Sequence, residues 1–131
     1  MKVTFIVDEA CQAKQRPRVN RQTGRIYTPN ATHKYEKKVK EAYGDNPPFP
    51  GFIKIKITFL FKIPKSYNKK QYSEALEGIL RPTKADIDNY IKSVLDGLNG
   101  VAYEDDRYVY SIEAEKKFAE ESKTIIEIEG V

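Results

Sequence analysis

Hydrophobic and polar residues alternate along the centre of the chain. Between residues 53 and 62, isoleucine or phenylalanine occupies every second position, and most positions between them are lysines. This period of two predicts a strand with one apolar face. A short apolar run predicts a strand at 3–7. Shorter alternating runs predict strands at 108–115 and 124–129, and we expect these two to be antiparallel.

Helical spacing predicts the elements between these strands. Thr28-Pro29 offers a cap and a proline at the first helical position, and apolar residues then recur at helical spacing, so we expect a helix from about Pro29 to Tyr43. A short helix is predicted from Lys69 to Glu77, and Cys11 to Arg25 is interpreted as an exposed loop. With no internal repeat and no long linker, residues 1–131 should form a single compact α+β domain with a mixed or antiparallel sheet and flanking helices.

Composition narrows the class of protein. Of the 131 residues, 40% are hydrophobic and 32% are charged, as is usual for a folded globular chain. No segment approaches the roughly 20 apolar residues of a membrane span, and the N-terminus lacks the apolar run of a secretory signal. Cys11 is the single cysteine, which excludes an internal disulfide. We therefore expect a cytoplasmic protein with no membrane partner.

The net charge of +4 is unevenly distributed. Residues 14–40 contain nine Lys or Arg against one acid, whereas residues 86–129 contain twelve Asp or Glu against five Lys or Arg. A basic region that binds a polyanion and an acidic region that binds metal would produce this division. A solvated surface with internal charge balance would produce it equally well.

The acidic region surrounds a third predicted helix. Its start should lie between Asp86 and Asp88, and Asn99-Gly100 supplies a stop. Asp88, Lys92 and Asp96 are spaced i, i+4, i+8, so they share one face of the helix. This polar stripe should border the apolar stripe that packs into the core.

The carboxylates in and beyond this helix suggest a metal site. A short antiparallel return of the chain could bring Asp105 or Asp106 back to the helix start, beside Asp86 and Asp88. Mg²⁺ prefers oxygen ligands and keeps several waters, so a few Asp side chains and a substrate phosphate would suffice. Lys92 could then donate to a phosphate oxygen. The pattern predicts a metal-dependent phosphoryl-transfer enzyme.

Other interpretations use the same residues. A calcium loop of EF-hand type begins with the same D-x-D-N spacing, but it needs glycine where Ile91 stands and glutamate where Gly97 stands. Asp86 could simply cap a helix that carries ordinary surface acids. Lys92 could be one half of an exposed ion pair with Asp88 or Asp96, worth only about 0.3–0.5 kcal/mol.

The order of these motifs resembles the signature of the RusA-type Holliday junction resolvases. That signature is a K-P-D-x-D-N-x-x-K run, a D-x-L-N-G segment and a D-D pair. The matching residues are Lys84-Ala85-Asp86-Ile87-Asp88-Asn89-Tyr90-Ile91-Lys92, Leu95-Asp96-Gly97-Leu98-Asn99-Gly100 and Tyr103-Glu104-Asp105-Asp106. Ala85 departs from the pattern, because proline is usual there, but no ligand is lost. The stretches at 14–18 and 24–28 also resemble the start of the family.

The resemblance implies a crossover junction endodeoxyribonuclease. Asp86, Asp88 and Asp106 would be the catalytic acids that bind Mg²⁺, with Mn²⁺ as a substitute, and Lys92 would be the essential lysine. Asp106 is chosen over Asp105 by spacing, and that choice is open.

The resemblance further implies a homodimer that resolves four-way DNA junctions by paired symmetrical nicks, in DNA recombination and repair. Phosphate contacts would be strongly dependent on salt. They would come from Lys14, Arg16, Arg18, Arg21, Arg25, Arg81 and Lys84. The alternatives are a non-catalytic protein that binds branched DNA and a less selective nuclease acting on flaps or forks.

Overall fold

The computed structural model describes residues 1–15, 17–27 and 30–131. The elements follow in the order β1 (Lys2–Val7), β2 (Arg18–Val19), β3 (Ile26–Tyr27), α1 (Asn30–Tyr43), β4 (Ile53–Lys62), α2 (Lys69–Leu76), α3 (Ile87–Leu98), a 3₁₀ helix (Asp106–Tyr108), β5 (Val109–Ala119) and β6 (Lys123–Gly130). Helices and strands thus intermingle around a mixed sheet. The predicted α+β class is confirmed.

The main sheet has the strand order β1-β6-β4-β5. β6 is antiparallel to both β1 and β4, whereas β5 is parallel to β4. The four predicted strands are confirmed. β5 and β6 run in opposite directions, as expected, but they do not pair with each other. Instead, both strands flank β4. Residues 120–122 connect β5 to β6 across the end of β4, where the Lys62 N–H donates to the Ser122 hydroxyl at 3.0 Å.

One face of the sheet forms the core. In β4, the alternation buries Ile53, Ile55, Ile57 and Phe59 and leaves the lysines between them exposed. Side chains of α1 and α3 belong to the same buried cluster. Because the apolar face is covered by helices and the other face meets solvent, the strand pattern fixes on which side α3 lies.

The three predicted helices are confirmed to within about two residues. α2 begins with a capping box, in which the Asn68 and Gln71 side chains each accept from the other residue's N–H. The predicted cap of α1 at Thr28-Pro29 lies outside the described residues. None of the helices in the described ranges is both long and apolar enough to span a bilayer.

The segment from Cys11 to Arg25 is more ordered than a loop. Cys11 is buried in the core, and β2 pairs with β3 in a small antiparallel hairpin. The Asn20 N–H donates to the Arg25 carbonyl at 2.8 Å, which closes the turn. The prediction of an exposed loop is correct for the exposure of residues 17–25 and wrong for Cys11 and for the strand at 18–19, because two-residue strands are too short to show alternation.

α3 lies unusually close to α1 at Gly97. A Cβ built at Gly97 would lie 2.9 Å from the Val39 Cβ and 3.1 Å from the Glu36 carbonyl oxygen. Only a residue without a side chain lets the two backbones approach this far. The position of α3, and of the acids that it carries, depends on this contact.

We expect Gly97→Ala to destabilise the protein by about 1–3 kcal/mol, because the added methyl group overpacks the α1–α3 contact. Urea unfolding followed by circular dichroism measures this change. Gly51→Ala is the matched control, since a Cβ at Gly51 meets nothing within 4 Å. Equal stability of the two variants would contradict the close approach.

Candidate active site

Asp86 stands immediately before α3. Its backbone is extended, with φ −82° and ψ 141°, and its side chain makes no cap hydrogen bond. The predicted helix start between Asp86 and Asp88 is therefore confirmed. Neither carboxylate forms a salt bridge with any residue that the structure describes. Both are exposed at the positive end of the helix, which favours anionic groups.

The segment that presents Asp86 is held from two sides. The Tyr90 hydroxyl donates to the Lys84 carbonyl at 2.9 Å, and the Tyr90 ring packs in the core against Phe59 and Phe61. On the other side, Lys116 Nζ of β5 donates to the Ala85 carbonyl at 3.0 Å. The backbone next to Asp86 is thus tied to the core and to the sheet.

Ala85 has a left-handed backbone, with φ +56°. Glycine adopts this conformation without strain, whereas an alanine pays a cost of about 1 kcal/mol. Proline is fixed near φ −65° and cannot adopt it. The backbone at Ala85 therefore has a conformation that the proline expected from the signature could not adopt.

The polar stripe of α3 continues from Asp88 through Lys92 to Asp96. Lys92 Nζ lies 3.8 Å from Asp96 Oδ1, so the predicted shared face is confirmed. The other oxygen, Asp96 Oδ2, lies 3.0 Å from Lys14 Nζ, which also binds Glu36 of α1 at 2.7 Å. Asp96 therefore faces two lysines from different parts of the chain.

Lys14 is more enclosed than a surface lysine, with 22% of its side chain exposed. Burial acts to lower the pKa of its ammonium group, but the hydrogen bonds to Glu36 and Asp96 outweigh burial and raise that pKa overall. The Lys14 N–H also donates to the Asn89 carbonyl at 2.8 Å. Both its backbone and its side chain are fixed against α3.

Asp105 and Asp106 adjoin this stripe after the turn that follows α3. Asp105 caps the 3₁₀ helix by accepting the Arg107 N–H at 2.9 Å, and this bond lowers its pKa. Burial and the neighbouring Asp105 raise the pKa of Asp106, and Asp96 adds to the rise while Lys92 opposes it. The two acids of the pair therefore have opposite shifts.

These effects place Asp106 in the electrostatic field of Lys92 and Asp96, along the later turns of α3. The predicted return to the helix start stays a prediction. Within the described ranges, no three acids are grouped so that they could hold a metal ion by themselves. The donors nevertheless suit Mg²⁺ chemically, because they are carboxylate oxygens. The assignment of Asp86, Asp88 and Asp106 as metal ligands stays a prediction.

The residues predicted to contact DNA fall into different environments. Arg18, Arg21 and Arg25 are exposed on or beside the β2–β3 hairpin, and Lys84 is exposed next to Ala85. Arg16 lies outside the described residues.

Arg81 is exposed too, but its guanidinium has partners within the chain. It donates to the Gly78 and Lys116 carbonyls, each at 3.0 Å, and Nη1 lies 3.4 Å from Glu115. Arg81 thus joins the turn after α2 to β5.

The family model described as "Endodeoxyribonuclease RusA" matches residues 10–129. The chain belongs to the RusA family. The match includes the whole of α3, the turn with Asp105 and Asp106, and the basic segment from Lys14 onward. Family membership indicates an endonuclease for Holliday junctions, which are branched DNA.

A similar protein is known in Bacillus subtilis (strain 168), where it is named "Uncharacterized protein YqaN". The two are 32% identical over 137 aligned residues, and the alignment covers 98% of this chain and 96% of YqaN. The RusA-like chain therefore corresponds to that protein over nearly its full length.

The sequence did not reveal two contributors to the site. Lys116 is 31 residues from its acceptor at Ala85, and Glu36 is 22 residues from Lys14, so no local spacing connects them. Asp96 did show a signal, because it follows Lys92 by one helical turn. Its second partner could be known only from the fold.

We expect Asp105→Asn to lower the pKa of Asp106, because the substitution removes the adjacent like charge. An asparagine oxygen can still accept the Arg107 N–H, so the cap is kept. Carboxyl ¹³C NMR titration without divalent metal measures this pKa, with Glu104→Gln as a control for a nearby exposed acid. An unchanged pKa of Asp106 in Asp105→Asn would contradict a repulsion between these two acids.

Proposed function

We propose that this RusA-family protein is a Mg²⁺-dependent endonuclease that resolves four-way DNA junctions by paired symmetrical nicks. Mn²⁺ would substitute for Mg²⁺, and the reaction would serve DNA recombination and repair. Residues 1–131 would act as one RusA-like endonuclease domain. The observation that carries this proposal is the crowding of Asp106 by Asp105 and Asp96 beside the exposed Lys92, within the family's matched region.

The crowding supports a cation site because like charges that share a small region raise one another's proton affinity. Burial raises the pKa of Asp106 most, and the like charges of Asp105 and Asp96 add to the rise. A divalent ion relieves the repulsion more fully than a proton does. We propose Asp86, Asp88 and Asp106 as its protein ligands, with water and substrate phosphate completing an octahedral shell.

The chain's own residues would bind and orient the scissile phosphate. Asp86 and Asp88 lie at the helix start, where backbone N–H groups also attract a phosphate. The Lys92 side chain is 61% exposed, and its ammonium would donate to a non-bridging or leaving oxygen as negative charge develops there. A bound metal ion would supply charge neutralisation and a more acidic water. Arg18, Arg21, Arg25 and Lys84 would hold the flanking backbone.

Asp88→Asn should abolish nicking of a synthetic four-way junction with Mg²⁺, by about a hundredfold or more, because it removes a charged ligand without changing shape. Junction affinity and thermal stability should stay near those of the native chain. Asp45→Asn, at an exposed acid in the connector before β4, is the control and should cleave normally.

The same assay separates the alternatives. A non-catalytic binding protein would retain the junction without nicks in either metal, and a less selective nuclease would cut flaps and forks as readily. Unimpaired cleavage by Asp88→Asn would contradict the proposed metal site. Parallel assays of Asp105→Asn and Asp106→Asn decide which acid of the pair is needed.

We also propose that the protein is a homodimer, and that the outer edge of β5 forms the contact. Among the described residues, this edge has no strand partner. Tyr110 and Ile112 on β5 are 56% and 40% exposed, and exposed apolar edges favour pairing. Antiparallel pairing centred on Ser111 would place Tyr110 opposite Ile112 of the partner subunit, a favourable aromatic and β-branched pair.

Ile112→Lys should convert the dimer to a monomer, because it buries a charge in that pairing. Light scattering coupled to size exclusion measures the mass. Ile6→Lys, at a 51% exposed isoleucine on the opposite edge strand, is the control and should remain dimeric. A dimeric Ile112→Lys would exclude this edge, and a monomeric native protein would exclude the homodimer.

A further inference from the structure

Lys14 differs from the exposed arginines that follow it in the basic region. Its N–H is bonded to the first turn of α3, at the Asn89 carbonyl, and its ammonium lies between Glu36 and Asp96 at 2.7 and 3.0 Å. Those two carboxylate side chains are only 15% and 23% exposed. A DNA phosphate would have to displace two anions that already hold this lysine.

Asp96 is shared unequally between two lysines. Its Oδ2 is within hydrogen-bonding distance of Lys14, whereas Oδ1 is 3.8 Å from Lys92, beyond that distance. Lys92 keeps 61% of its side chain exposed. The carboxylate is thus turned toward the enclosed lysine, and the exposed lysine remains able to reach a ligand.

We infer that Lys14 is a positioning residue, which holds Asp96 so that the ammonium of Lys92 stays available to the scissile phosphate. This inference rests on the proposed function of Lys92 and gives Lys14 a role other than phosphate contact. Lys14 does not touch substrate in this arrangement. It acts through Asp96 alone.

The physical reason is competition for one carboxylate. If Lys14 lost its charge, Asp96 would remain partly enclosed with Lys92 as its nearest cation. The pair would then close into a direct salt bridge, because a shielded carboxylate interacts more strongly with a nearby cation than an exposed one does. Lys92 would be drawn along α3 toward Asp96 and away from substrate.

Lys14→Met tests this inference, because methionine keeps most of the apolar stem and removes the charge. We expect the single-turnover rate on a saturating four-way junction to fall about tenfold, since displacement of a catalytic group lowers the rate without changing ground-state affinity. Junction affinity should stay within about twofold. Lys14→Arg should retain activity, because its guanidinium can still hold Asp96.

The decisive variant is the double substitution. Asn at position 96 has no charge with which to hold Lys92, so Lys14→Met/Asp96→Asn should cleave faster than Lys14→Met alone. If Lys14→Met lowered the rate only by disturbing the fold, adding Asp96→Asn would lower the rate further. Lys38→Met is the matched control, because Lys38 also lies near two carboxylates, Glu9 and Glu41 at 3.9 Å, but is exposed and distant in sequence from α3.

The salt dependence of junction binding separates positioning from phosphate contact. A lysine that neutralises one phosphate contributes about 0.9 to the slope of log affinity against log salt. We expect the slope for Lys14→Met to equal that of the native chain. A slope reduced by about that amount, or a double variant no faster than Lys14→Met, would overturn the inference. If Lys14→Met unfolds, Lys14→Gln takes its place under the same criteria.

A readout that needs no cleavage distinguishes this inference from the proposed function. Acylation of the Lys92 amine, followed by mass spectrometry, should slow in Lys14→Met and quicken in Asp96→Asn, relative to Lys38→Met. If the native protein nicks no junction but these rates change as stated, the proposed function fails and the Lys14–Asp96–Lys92 coupling stands. Unchanged rates would remove the coupling even in an active nuclease.

Discussion

Electrostatic repulsion among carboxylates is the constraint on which the site depends. Burial and the like charges of Asp105 and Asp96 raise the pKa of Asp106 beside α3. Two lysines offset part of the repulsion: Lys14 from the enclosed side and Lys92 from the exposed side. An additional cation at this edge of the protein would offset more of the repulsion, and the proposed nuclease mechanism depends on such a cation.

The fold keeps these charges close together by fixing α3 on three sides. Gly97 lets α3 approach α1, Tyr90 anchors its first turn in the core, and the Tyr103 hydroxyl donates to the Leu95 carbonyl at 2.8 Å near its end. Burial strongly raises the pKa of Tyr103, so its hydroxyl remains a donor. The packing of α3 thus fixes the positions of the acids, and the sheet fixes the position of α3.

Much of this could be predicted from the sequence, because its signals are local. Alternation in β4, the helix start between Asp86 and Asp88 and the stripe from Asp88 to Asp96 each involve residues within about two helical turns or one strand. The RusA-like motif order gave the family. The parallel pairing of β5 with β4 could not be predicted, because alternation shows which face is buried and not which strand is the neighbour.

The electrostatic partners of the basic residues could not be predicted either, because these partners are distant in sequence. Basic residues in sequence suggest polyanion binding, yet Lys14 and Arg81 are both held by acceptors within the chain. Other basic residues look the same in the sequence but are exposed in the structure, namely Lys84, Arg18 and Arg25. Only long-range contacts divide the basic residues into those that stabilise the site and those that remain available to DNA.

Metal binding to the protein–junction complex tests the central claim most directly. Since no three acids of one chain, among those described, are grouped as a complete metal site, substrate phosphate should be needed to complete the shell. Mn²⁺ titration followed by electron paramagnetic resonance should show saturable binding in the presence of a four-way junction, weakened strongly by Asp86→Asn. Binding that is absent with junction, or unaffected by that substitution, would contradict a cation held by these carboxylates.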